Sequence, residues 1–263
     1  MSKAAAAVRI SRKETVEVIA GISPRYIQTR MRIGCMRSAL LCGLVLFGTL
    51  AAQSRRAHEQ NAASFDYYIL SLSWAPEFCA HGDGASRSPE ECSPGRRTGF
   101  VVHGLWPQLN AGRGPESCGR ADRLPKSVIE YVIRYMPSPG LIQHEWATHG
   151  VCTGLAPAEY FGALVEMRAA VQIPVQFASI DREMRQSPGQ IETQFAAANP
   201  SFPREAFRTS CMRGELQEVR ICFDRNRKPQ ACTASAGECL VPAIRVRPPL
   251  GPARPGNDLR VLR

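Results

Sequence analysis

Three of the five histidines in this 263-residue chain fall in two short segments of unusual composition. The first is Phe100-Val-Val-His103-Gly104-Leu105-Trp106-Pro107, where an apolar run delivers a histidine into a turn bearing a tryptophan. The second is His144-Glu145-Trp146-Ala147-Thr148-His149-Gly150-Val151-Cys152. With residues 142–149 helical, Glu145 and His149 stand four apart on one face, and His144 and Thr148 form the neighbouring pair. A His-Glu pair followed by a histidine raises the question of zinc, but the metal motif H-E-x-x-H places its histidines four apart. Here they are five apart, about 140° round a helix of 3.6 residues per turn, so both cannot face one ion. Two imidazoles with a carboxylate suit acid–base catalysis near neutral pH instead.

RNA is the substrate to which that chemistry applies most directly, because its 2′-hydroxyl is a built-in nucleophile. One imidazole need only remove that proton while the other protonates the departing 5′-oxygen, so no cofactor and no metal are required. DNA lacks the hydroxyl and is excluded by the same argument. Trp106, beside the first histidine, offers a flat surface on which a base can stack. Trp74 and Trp146 read as core.

Several elements must bring these segments together. Phe65–Trp74 has apolar residues on both faces, with Phe65, Tyr67 and Ile69 on one and Tyr68, Leu70, Leu72 and Trp74 on the other, which predicts a central strand covered on both sides. Gly99–His103 reads as a second strand, and the Gly/Ser/Pro-rich stretch Ala80–Arg97 before it reads as loop. Helical spacing predicts helices over Pro125–Met136, Pro157–Val171 and Pro188–Ala198. Short β-type segments follow at Phe207–Met212, Leu216–Phe223 and Ala243–Val246. Strands at both ends with helices between them predict one α+β domain, an antiparallel central sheet with helices packed on it, rather than a doubly wound fold.

The charge of +10 is uneven: residues 1–52 carry eight Lys/Arg against two Glu, and the remainder is only mildly basic. A basic body suits a polyanionic substrate without identifying one. Arg32 and Arg37 precede an uncharged stretch from Ser38 to Ser54 that ends in small residues, the pattern of a secretory leader and too short an apolar core for a membrane span. Residues 1–54 are therefore expected to be a leader, 55–247 the folded domain, and 248–263 a flexible Pro/Arg-rich tail. Eight cysteines remain outside the leader, an even number without zinc-knuckle spacing, which predicts four disulfides in an oxidising compartment, periplasmic or extracellular. Their pairing is open from spacing alone.

The two histidine segments closely resemble the active-site signatures of the ribonuclease T2 family, H-G-L-W-P and H-E-W-x-x-H-G-x-C, and the likeness extends over about Phe65–Val246. The resemblance implies an endoribonuclease acting on single-stranded RNA through a 2′,3′-cyclic phosphate, with His149 as general base and His103 as general acid. Glu145 and His144 would steady the phosphate, and Trp106 would sit in a base pocket. It also implies the disulfides Cys118–Cys152, Cys211–Cys239 and Cys222–Cys232, leaving Cys79–Cys92. Two departures stand out: Thr148 occupies a position where the family usually has lysine, and Gln108 one that is often acidic. Thr148 as a neutral phosphate contact implies a slower enzyme, and Gln108 leaves the base preference open. The rival reading, a secreted RNA-binding protein without activity on the same scaffold, draws on Thr148 alone. The chain is expected to act as a monomer on RNA, free of the membrane once its leader is removed.

Overall fold

Strand β1 (Tyr67–Trp74) lies between two antiparallel neighbours and is buried on both faces. The computed structural model describes residues 62–249 apart from 82–83 and 94–97. The expected leader and the tail beyond 249 therefore lie outside the described residues. After β1 come the short helices α1 (Ala75–Ala80), α2 (Gly84–Arg87) and α3 (Pro89–Cys92), then strand β2 (Phe100–Gln108). Helices α4 (Lys126–Val132), α5 (Pro139–Thr148), α6 (Pro157–Ala170) and α7 (Val175–Ala178) precede the short strand β3 (Met184–Gln186) and helix α8 (Pro188–Ala198). Strands β4 (Phe207–Met212), β5 (Glu215–Asp224) and β6 (Ile244–Val246) complete the sheet. Its order is β2-β1-β5-β6-β3, with β4 also paired to β5, so β2 is an edge strand.

The fold is α+β with an antiparallel central sheet, as its pattern predicts; the exception is a single parallel contact of β6 on β5 at Glu215 and Arg245. On one face of β1, Tyr68, Leu70, Leu72 and Trp74 enter the main core with Trp146, Tyr160 and Phe161 from the helices. On the other, Tyr67 and Ile69 form a smaller cluster with Cys222, Cys232 and Ala236, against which Trp106 packs. Phe65 departs from its expected side: it precedes the strand and packs on Tyr68 in the main core. The β4–β5 hairpin turns at Arg213 and Gly214, both at positive φ (55° and 75°), the two-residue geometry that matches strand twist and that glycine adopts without strain.

Three expectations differ in extent. The stretch Ala80–Arg97 holds the one-turn helices α2 and α3, too short to leave an apolar period in the sequence. Helix α4 is shorter than Pro125–Met136, the chain running on as turns from Ile133 to Met136. Strand β2 runs past His103 to Gln108, because Pro107 is tolerated on an edge strand. Disulfides join Cys79–Cys92, Cys118–Cys152, Cys211–Cys239 and Cys222–Cys232. Among the described residues, no helix is long and apolar enough to cross a membrane.

Candidate active site

His103 owes its orientation to an irregularity in β2. Ser71 of β1 pairs with Gly104 but Leu72 pairs with Val102, leaving His103 as the extra residue of a β-bulge. A bulge bends its strand and re-aims the side chain there. His103 and Trp106, three apart and thus on opposite faces of a regular strand, are brought together with ring centroids 5.3 Å apart and nearly perpendicular planes.

Helix α5 supplies the second half. Ser138 caps it, accepting from the Leu141 amide, and Pro139 occupies the first turn, where its missing N–H costs nothing. Ile142 and Trp146, one turn apart, anchor the helix in the main core. Glu145 is 1% exposed and projects toward β2 instead, where its Oε2 accepts a hydrogen bond from Trp106 Nε1 at 2.9 Å. Its Oε1 lies 3.6 Å from His103 Nε2. Gly104 is glycine because a methyl group there would collide with the Glu145 carboxylate. Helix α5 ends at Thr148, and His149 caps it with its amide donating to the Glu145 carbonyl. The His149 ring lies 5.6 Å from Trp106, so one indole is flanked by both imidazoles.

The two histidines are tuned in opposite directions. Burial, followed by the positive charges of His144 and His103, lowers the His149 pKa to about 4. The ring is therefore neutral near pH 7, and its Nδ1 has no hydrogen-bond partner among the described residues. Burial also works against a charge on His103, but it is outweighed by the hydrogen bond and charge of Glu218 and by the charge of Glu145, so its pKa is raised. Glu145 is pushed up to about 7 by burial, against the opposing pull of His103 and Trp106. An acceptor, a donor and a carboxyl that titrates near neutrality thus share one small volume.

The model of the Ribonuclease T2 family matches residues 65–232, more than half of the chain. The chain belongs to this family. A ribonuclease of Aeromonas hydrophila is 36% identical over 201 residues, covering 69% of this chain and 84% of that one. Among solved structures, an RNase-related protein from Calystegia sepium matches with a TM-score of 0.57 at 22% identity, over 71% of this chain and 98% of that one. RNase NT, solved in complex with 5′-AMP, matches with a TM-score of 0.53 at 20% identity, over 72% of this chain and all of that one. The two structural matches share the T2 fold.

The other residues singled out from the T2 signatures are placed as follows. His144 is exposed and lines, with His103, a cavity of about 850 Å³ whose walls include Glu77, Glu91, Ser138 and Glu218. His149 and Trp106 are not among its walls. Trp106 is half-buried, tied to Glu145 and covered by the Arg220 guanidinium 5.2 Å from its ring, so it braces the site as well as offering surface. Thr148 is half-buried at the end of α5, its carbonyl accepting from the Ser117 amide. Gln108 ends β2 against Gly114, its buried Oε1 without a partner among the described residues. Among the described residues one cluster has metal-ligand geometry, Glu77, His81 and Glu215. Its carboxylates are already engaged by Arg245 and Arg247, which disfavours a cation.

Glu218 was missed from sequence. It lies within β5, expected as an ordinary strand, and its Oε1 is 2.5 Å from His103 Nδ1. The available signal was Glu218 and Arg220, opposite charges two apart on the strand face that also carries Cys222.

Proposed function

We propose that this T2-type endoribonuclease cleaves single-stranded RNA by transphosphorylation, with His149 as general base, His103 as general acid and no metal ion. His149 takes the proton of the 2′-hydroxyl, whose oxygen attacks phosphorus. The P–O5′ bond breaks as His103 gives a proton to the departing oxygen, leaving a 2′,3′-cyclic phosphate that water can open with the two roles reversed. Glu145, protonated below about pH 7, can donate to an oxygen of the crowded phosphorane. His144, exposed on the wall of the cavity that also reaches His103, contacts a neighbouring phosphate, and that cavity takes a nucleotide on the leaving-group side. Trp106 and Gln108 border the upstream base. The observation that carries the reading is the pair of oppositely tuned imidazoles around one indole. Four disulfides favour a periplasmic or secreted location, where such bonds persist.

The test is to incubate the purified protein with RNA in EDTA and analyse the ends. Cleavage with 2′,3′-cyclic phosphate termini is expected; metal-dependent cleavage with 5′-phosphates, or binding without cleavage, would reject the mechanism. The pH profile of kcat/KM checks the roles. A base must be unprotonated and an acid protonated, so kcat/KM rises through about pH 4 as His149 loses its proton and falls above pH 6.5 as His103, raised from that value, loses its own. A profile still rising at pH 9 contradicts the assignment.

Thr148 gives a further expectation. A charged donor stabilises an anionic phosphorane better than a hydroxyl, so Thr148→Lys should raise kcat by about tenfold, equivalent to about 1.4 kcal/mol. An unchanged kcat, measured on a homopolymer under saturating conditions, means that this position does not reach the phosphate.

A further inference from the structure

Glu218 has separate, fully formed partners for its two carboxylate oxygens. The β1–β5 register places it opposite Ser73 and Arg220 opposite Ser71, so both project from the sheet face that carries Gly104 and Trp106. Oε1 accepts from His103 Nδ1 at 2.5 Å. Oε2 accepts from Arg220 Nε and Nη2, each at 2.9 Å. Arg220 is in turn fixed, donating through Nη1 to the Ala236 carbonyl and lying over the Trp106 ring. At 2% exposure the Glu218 carboxyl is cut off from water, so its charge acts on His103 in a medium of low polarity.

We infer that Glu218 is a positioning residue for the general acid: by accepting from Nδ1 it holds the His103 ring so that Nε2 alone faces the scissile phosphodiester, and Arg220 locks the carboxylate that does this. The inference rests on the reading of His103 as the acid. A carboxylate on one ring nitrogen fixes which nitrogen exchanges its proton and stabilises the imidazolium, so the ring begins each cycle loaded. The groups facing His103 are Glu218 and Arg220 from β5, Glu145 from α5, His149 at its C-terminal cap, and Glu91 from α3. Of the three carboxylates only Glu218 is held below the usual range, its hydrogen bond and charge pairing with His103, aided by Arg220, overcoming burial. Glu145 and Glu91 are both shifted upward by burial. Glu218 is thus the carboxylate able to remain ionised beside the ring throughout the active range. A buried ion pair serving stability alone would need only Arg220; it would not also engage the reactive imidazole.

The experiment compares two substrates and two variants. On RNA the proton on His103 Nε2 passes to O5′ as the P–O5′ bond breaks. On a uridine 3′-(4-nitrophenyl phosphate) the leaving aryloxide departs without needing that proton, while attack by the 2′-oxygen is unchanged. Glu218→Ala is expected to lower kcat on RNA by about 10–100-fold with little change in KM, and to leave kcat on the aryl ester within a few-fold of the parent. In Glu218→Gln, which keeps the size of the side chain, the alkaline limb of the RNA profile should move down by about 1–3 pH units, the effect of removing one adjacent opposite charge. Titration of the His103 ring by NMR in the free protein should move in step, independently of turnover. Equal losses on both substrates, or an alkaline limb and ring titration unmoved in Glu218→Gln, overturn the inference. His103→Ala is the control. If it loses as much on the aryl ester as on RNA, His103 is not the acid, and this inference falls with that reading.

Discussion

His149→Ala is expected to reduce kcat/KM on RNA by about 10²–10⁴-fold, the range typical of a lost general base, with almost no change in fold. The second half of that statement makes the variant informative. The His149 ring makes no hydrogen bond through Nδ1 among the described residues, and the backbone contact that closes α5 belongs to its amide, which alanine keeps. His103→Ala is the less clean experiment, since it removes the partner of one oxygen of the buried Glu218 and so mixes chemistry with the cost of a buried acceptor left unmatched. The pH dependence of stability should separate the parent from His149→Ala. The folded protein holds the His149 pKa at about 4, below the usual imidazole value of 6.5. The contribution of the neutral ring is therefore complete above pH 6.5 and is lost as pH falls toward 4. The alanine variant lacks that term and should resist mild acid better than its parent in urea titrations. A variant that keeps most of its activity would move the base elsewhere in the site.

Removing the Cys118–Cys152 bridge with a double alanine substitution is expected to cost about 2–4 kcal/mol of stability, read from the urea midpoint. It closes the longest loop of the four, a separation of 34 residues against 10 for Cys222–Cys232, so its loss frees the most unfolded-state entropy. Its position adds a functional consequence. Cys152 lies in the 3₁₀ turn immediately after His149, and the strand of chain leading to Cys118 donates from Ser117 to the carbonyl of Thr148. The bridge therefore clamps the C-terminal end of α5, where the base sits, and the same variant should lose activity at temperatures where it is still folded. Activity unchanged up to the unfolding transition would show that the helix end is held by Trp146 and Ile142 alone.

How much of this was legible beforehand depended on the range of the forces involved. Helix α8 could be read to the residue because Ser187, Pro188 and Gln190 form a local cap and its apolar faces repeat at helical spacing. The burial of β1 on both faces was equally plain, since Tyr67 and Ile69 on one side and Tyr68, Leu70, Leu72 and Trp74 on the other make both faces apolar. That His149 stands one helical turn beyond Glu145, its amide donating to the Glu145 carbonyl, follows from helical geometry alone. The contact between His103 and Trp106 does not: it depends on a pairing slip between β1 and β2 that no spacing within either strand records. The role of Glu218 was hidden for a related reason. Its importance comes from a neighbour on a strand two places away in the sheet, with β1 between them, and the charge pair it forms with Arg220 within β5 carries no mark of which histidine it will meet. Contacts set by the local chain were readable, and contacts set by the stacking of strands were not.

The surplus residue at position 103 gives the length of this strand a meaning beyond the identity of its side chains. Shortening Phe100–Gly104 by one amino acid would heal the ladder between the two strands and make the edge more regular. The healed strand would carry its imidazole away from the indole and the glutamate beneath it. Natural variation around this point should thus tolerate exchange of Val101 or Val102 for other apolar residues far better than any change in their number.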